Sequence, residues 1–351
     1  MVDLLSQSRV QRTFTETLES AARSIDYRRR RRPAALFFAL QSAENSIVSD
    51  FTLGADCMRL WTSQAPVDLS VQKSLPGPWM TTPYSEDETS RYPLPERPKG
   101  RLTMLATPEA LRLLLRSNWG AYGSGTFTLE PCTPAWGTLA WVEELGVPGS
   151  VQNLVRIWNC YPHNIRIVSR RAEGRVLIQV NYGAGRVKVD PLNNLPVEVV
   201  LPAAHTPPTD QRVFNVRHSD LILDPTGMAL SINYTDLVLE IDQKAVSSWY
   251  MSDKWEVYKG GLTHVNILFG GVVNLETWQV LNDARADTKR RLRLTMTAPG
   301  SPSSVFTAEI YCADFAADPI GHDARGWIAF RCNGRALVRA SDDKFVDLSL
   351  S

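Results

Sequence analysis

Five consecutive arginines, Arg28, Arg29, Arg30, Arg31 and Arg32, are the densest chemical cluster in this 351-residue chain. Guanidinium groups at that spacing neutralise phosphates and release their counterions whatever the base sequence, so the run predicts salt-sensitive, sequence-independent nucleic-acid binding. It equally fits a solvated hinge, or a patch that pairs with acids on a neighbouring subunit. Lys289, Arg290, Arg291 and Arg293 form a second basic group, and Arg170, Arg171 and Arg175 a third. On alternating strands such residues read as the wet face.

Other chemistry finds less support. Asp314, Asp318, His322 and Asp323 are the only dense oxygen and nitrogen cluster. Hard cations take such ligands, but the spacing fits no EF-hand and Asp and Gly are common turn formers, so no metal is expected. His163, His205, His218, His264 and His322 make no paired-ligand spacing. The stretch from Gly120 to Gly125 lacks the lysine of a phosphate loop and precedes a strand, which makes it a flexible loop. Pairs such as Asp220 with Asp224 or Glu143 with Glu144 are of the type that serves glycoside hydrolysis, but any chain with 37 acids offers them. Tryptophans such as Trp119, Trp136, Trp141, Trp158, Trp249, Trp255, Trp278 and Trp327 fit core or interface anchors better than sugar platforms. No catalytic residues and no cofactor are expected, and the chain reads as a non-enzyme.

The elements that must position these groups are mostly strands. Val176, Ile178 and Val180 share one face, as do Val197, Val199 and Leu201, then Leu237, Leu239 and Ile241. Leu292, Leu294 and Met296 follow, then Phe306, Ala308, Ile310 and Cys312. Period-two alternation bounded by Gly, Pro, Asn and Asp, with no regular helices between, predicts a mainly β body of sandwich or jelly-roll type, as one large or two smaller units. A faint echo between Arg156–Tyr161 and Lys254–Tyr258 favours two units. Thr107-Pro108-Glu109 supplies a cap, a first-turn proline and an early acid for one short helix, with Gly120 as its stop.

Ahead of the body, apolar residues from Leu4 to Ile25 recur at helical spacing, so residues 3–27 predict an amphipathic helix leading into the arginines and Pro33. The layout is an arm at 1–40, a first β unit at 41–240 with a proline-rich surface excursion at 73–100, and a second unit or continuation at 241–351. Net charge is only +1, so nucleic-acid binding must come from local clusters. The five cysteines, Cys57, Cys132, Cys160, Cys312 and Cys332, are odd in number and never in a C-x-x-C pair, which predicts buried reduced thiols rather than a disulfide framework. The N-terminus has no apolar signal-peptide core and no run of about 18 apolar residues occurs, which predicts a soluble protein with no membrane partner.

The stretch Trp255-Glu256-Val257-Tyr258-Lys259-Gly260-Gly261-Leu262 resembles the coat proteins of picorna-like viruses, where an aromatic residue and a basic-Gly turn lead into a jelly-roll strand. Leu195–Pro202 is similar to a strand of those proteins ending at a proline, and Thr307–Tyr311 to their late strands. The resemblance spans residues 120–320 in style, with short, degenerate motifs. It implies a capsid subunit of an icosahedral shell in the virion, assembled in the host cytoplasm, partnered by other capsid subunits and viral nucleic acid. Arg28 to Arg32 would then meet the genome or a neighbouring subunit. Two features depart from the family: the chain starts at Met1 where many relatives are cut from a polyprotein, and the second β unit is short for a full jelly roll. A clamp or minor shell protein of a double-stranded RNA virus therefore competes closely. A β-sandwich carbohydrate-active enzyme or carbohydrate-binding protein is the alternative outside that class, and a host nucleic-acid-binding protein a third.

Overall fold

Alternation of apolar and polar side chains fixes which face each strand turns inward, and in the computed structural model that alternation is realised almost throughout. The structure describes residues 36–60, 70–71, 98–129, 135–144, 152–172, 174–202, 212–224, 227, 229–244, 246–248, 257–259, 261–300, 302–317, 321–322 and 328–351. The expected N-terminal helix, the arginine run and most of the proline-rich excursion lie outside them.

The elements begin with β1 (Leu36–Leu40), β2 (Cys57–Arg59), β3 (Ser70–Val71), β4 (Pro98–Leu105) and helix α1 (Pro108–Asn118). There follow β5 (Tyr122–Gly123), β6 (Thr126–Phe127), β7 (Gly137–Glu144), β8 (Gln152–Arg170), β9 (Val176–Gly183) and β10 (Arg186–Pro191). Next come β11 (Ser219–Leu223), β12 (Leu230–Ser231), β13 (Asp236–Asp242), β14 (Val246–Ser248), β15 (Val257–Lys259) and β16 (His264–Val272). Helix α2 (Leu275–Arg285), β17 (Arg290–Ala298), β18 (Ser304–Ala317), β19 (Gly321–His322), β20 (Ile328–Ala336) and β21 (Val346–Leu350) complete the described elements.

The protein is mainly β, and every pairing between these strands is antiparallel. Apart from the β14–β15 hairpin, the strands join one large sheet with two limbs. The 19-residue β8 belongs to both. Its first half lies between β7 and β10, and β7 continues through β1 to β2. Its second half lies between β9 and β13, extending through β4 on one side and β16 and β20 on the other. β18 then pairs with β20 and β21, and β17 links it to β11. Main-chain bonds from Val176 to Phe214, from Phe214 to Ala106 and from Asn215 to Thr297 tie the β9 side back towards β17.

The bend in β8 has a local cause. Asn159 adopts a left-handed backbone (φ 56°), and the register shifts between Tyr161 and Asn164. Such bulges redirect a strand without ending it. The Asn159 side chain is fixed there: its Nδ2 donates to Asn45 Oδ1 at 2.7 Å, while its Oδ1 accepts from Gln41 Nε2 and the Asn45 main chain.

One contiguous core takes side chains from both limbs and α1: Phe38, Trp141 and Ile157 from the first, Ile167, Ile178 and Leu239 from the second, and Leu111 and Leu115 from the helix. A smaller cluster on the opposite face of the first limb joins Phe37, Phe51, Cys57 and Leu154, covered in part by Leu195, Val199 and Leu201. β13 runs through residue 240, pairing with β8 on one side and β16 on the other, so the main core crosses the position between the two expected units.

Helix α1 begins as its sequence predicts: Thr107 Oγ1 accepts from Ala110 N at 3.2 Å, Pro108 occupies the first turn, and Gly120 follows the helix at φ 140°. Three expectations need correction. Val197–Leu201 is no strand: Val199 N bonds Pro196 O in a turn, Val197 is fully exposed, and only Val200 bridges Asp50. The alternation there packs Val199 and Leu201, partly buried, against the smaller cluster, and the flanking prolines break the ladder. The stretch Gly120–Gly125 is not a flexible loop but a tight hairpin, with Ser124 and Gly125 both at positive φ between β5 and β6. Finally, β16 and β17 are separated by a regular helix, α2, closed by a capping box between Asn274 and Thr277.

Candidate functional site

The arginine run itself lies outside the described residues, but its attachment point does not. Four positions after Arg32 β1 begins, and its Leu36, Phe37, Phe38 and Ala39 are each 2% exposed. β1 is an interior strand held by β2 and β7, with Phe37 and Phe38 in opposite cores.

The second basic group is split by the fold. Arg290 is turned towards α2 and the end of β11, where Nε and Nη2 bond both oxygens of Asp283 at 3.1 and 3.0 Å, and Nη1 bonds Asp224 at 2.9 Å. Arg291 and Arg293 project from the outer face of β17 and share Glu309 at 2.7 and 3.1 Å. Arg291 also lies 4.7 Å from the ring centre of Tyr311, while Arg339 and Lys344, in the connection from β20 to β21, approach the same ring at 5.0 and 4.7 Å. Tyr311 Oη donates to Asp347. Burial pushes the Tyr311 phenol up to about 12, assisted by the Asp347 and Glu309 carboxylates, so it keeps its proton at neutral pH. The cluster is a cationic cage closed on its own aromatic and acidic partners, and it pins the β20–β21 connection to β18. Alternation with Phe306, Ala308, Ile310 and Cys312 would turn Tyr311 outward; the register irregularity in the β17–β18 pair helps bring it to 6% exposure.

Arg170, Arg171 and Arg175 are exposed near the end of β8 and the turn into β9. Arg331 and Arg335 are exposed on β20, a pair that strand alternation would have revealed.

No protein-family model and no curated protein matches this chain. Its chemistry has to rest on its own residues. Asp224, paired above with Asp220 as a possible acid and base, is committed to Arg290 and to the Arg291 main chain. Among the described residues no group of three His, Cys, Asp or Glu is placed to hold a metal ion; Asp318 and Asp323 lie outside them, as do the side chains of Glu143, Glu144 and His322. Cys57 and Cys160 are buried free thiols, each pushed up to about 12 chiefly by that burial, and Cys332 is buried as well. Cys312 is only half-buried, because the same register irregularity turns it off the core face, and Cys132 lies outside the described residues. Burial also holds the His163 imidazole below its usual range.

Trp119, Trp141 and Trp158 belong to the interior, with Trp119 stacked on Phe345 and Arg186 over Trp158, so none offers a face to a sugar. Trp136 is partly buried, and Trp278 is partly exposed on α2 beside Leu275 with Arg285 over its ring. Trp249, Trp255 and Trp327 lie outside the described residues. Among the described residues, no helix is long and apolar enough to cross a membrane.

Proposed function

We propose that this chain is a structural subunit of a viral capsid, forming or stabilising an icosahedral shell, with Arg28 to Arg32 contacting the genome or a neighbouring subunit. The observation that carries the reading is the position of the arginine run. A five-arginine cluster ends four positions before Leu36, the first residue of an interior strand, which puts the densest positive charge next in sequence to the body. A jelly-roll description of the body belongs to the same proposal, supported by the wholly antiparallel pairing and by a core shared between two limbs of sheet. The helix expected at residues 3–27 would lie beneath the shell or on the next subunit.

The test is the mass of the full-length protein in solution, measured by light scattering after size exclusion, with and without RNA. Closed particles of megadalton mass support the proposal; a monomer indifferent to RNA overturns a self-assembling coat. Replacing Arg28 to Arg32 by Gln should abolish most salt-dependent RNA binding while leaving the fold of residues 36–351 intact. Unchanged binding would remove the arm from the account.

A further inference from the structure

We infer that β10 is a self-complementary edge through which two copies of this chain pair about a two-fold axis, extending the first limb of the sheet across both. Among the described residues β10 is paired on one side only, by β8, over the full register from Arg186↔Trp158 to Pro191↔Asn153. An unpaired edge of six residues is a template for another strand. Val189, near its centre, is a β-branched apolar residue 54% exposed, and the charges beside it, Arg186, Lys188 and Asp190, are of both signs and so can complement a second copy.

The charges select the register. A two-fold axis perpendicular to the sheet pairs residues antiparallel and keeps each on its own face, so a residue can lie opposite only residues of the same parity. Four centres are then available within the strand, and centring on Asp190 sets that carboxylate against itself. Centring on Val187 sets Arg186 against Lys188 twice, and centring on Lys188 sets that lysine against itself. Centring on Val189 sets Lys188 of each copy opposite Asp190 of the other and buries Val189 against its symmetry mate. Directly opposed residues have Cβ atoms about 5 Å apart, within reach of a Lys–Asp pair. Asp190 is 7% exposed beside the edge, with Arg156 Nη2 2.5 Å from one carboxylate oxygen and its own Lys188 Nζ 3.5 Å from the other, so on pairing the partner's lysine would share or exchange with the lysine of the same chain. Pro191 lacks an N–H, but it ends the strand and removes at most one hydrogen bond from each half of the pairing.

The interface does not depend on the capsid reading, and the two can fail separately. In full-length Val189→Cys the new thiols meet across the axis at a Cα separation compatible with a disulfide, so mild oxidation should give a covalent dimer on non-reducing gels. Val187→Cys, whose symmetry mate is several residues away along the strand, and the unsubstituted chain should not cross-link at that rate. Lys188→Glu sets carboxylate against carboxylate and should weaken self-association at least about tenfold in sedimentation. Cross-linking of Val189→Cys no faster than of Val187→Cys overturns the interface, as does undiminished dimerisation of Lys188→Glu. Particles without a Val189 cross-link would leave the shell and remove this edge from it; a cross-linked dimer that never grows would leave the edge and remove the shell.

Discussion

Arg156 is a cation buried to 1% exposure, and its fate depends on Asp190. Removing one member of such a pair leaves the other charge desolvated, so Arg156→Ala should cost about 3–5 kcal/mol, with Lys188 beside Asp190 holding the loss near the lower end. Urea unfolding of the two proteins measures it. Tyr311 gives a pH signature. Its folded pKa lies above the ordinary phenol value, so the unfolded chain releases this proton first. The stabilisation is complete below pH 10 and is lost as pH rises through about 12. Wild type should therefore lose stability across that window more steeply than Tyr311→Phe, and equal slopes would show that the phenol titrates normally. The Cys57 and Cys160 thiols, with pKa values near 12, should resist alkylation at pH 8 in the folded protein and react only after unfolding, as peptide mass spectrometry would show.

At the scale of elements, caps and turns hold the helices to the sheet. Thr107→Ala removes the acceptor for Ala110 N and should cost about 1 kcal/mol. Asn274→Ala breaks a reciprocal cap on a helix whose Val280 and Leu281 reach the main core, and should cost at least as much. Thermal melts of both variants against wild type provide the comparison. The start of α1 was legible because its cap, proline and apolar spacing are all local. α2 was not, since it packs only a short face and its capping residues, Asn274 and Thr277, also suit a turn. The hairpin at Gly120–Gly125 was missed because its sheet neighbour is the C-terminal β21, with Tyr122 Oη donating to Leu350 O at 2.9 Å from 228 positions away.

For the whole molecule, the consequence of a shared β8 and a core crossing residue 240 is cooperativity. Heat or urea should unfold the body in one transition, with aromatic and far-ultraviolet signals coincident. A fragment of residues 241–351 loses Asp236 to Glu240 of β13, leaving β16 without that partner from Asn266 to Gly270. It should therefore remain unfolded alone, and a dispersed amide spectrum from that fragment would contradict the shared core.

By itself the sequence determined that the protein is mainly β, which side chains of β9, β13 and β17 turn inward, where α1 begins, and that its densest positive charge precedes the body. Each of these follows from interactions within a few residues: period-two alternation, a cap, a run of like side chains. Only the tertiary structure decided that β8 serves two limbs, that Val197–Leu201 covers a small core rather than joining a ladder, that the Lys289–Arg293 cluster divides between an ion pair and a cage around Tyr311, and that β10 is an edge. Strand partners are chosen by contacts between residues far apart in the chain, and neither a residue's type nor its period specifies which distant strand will satisfy its main chain.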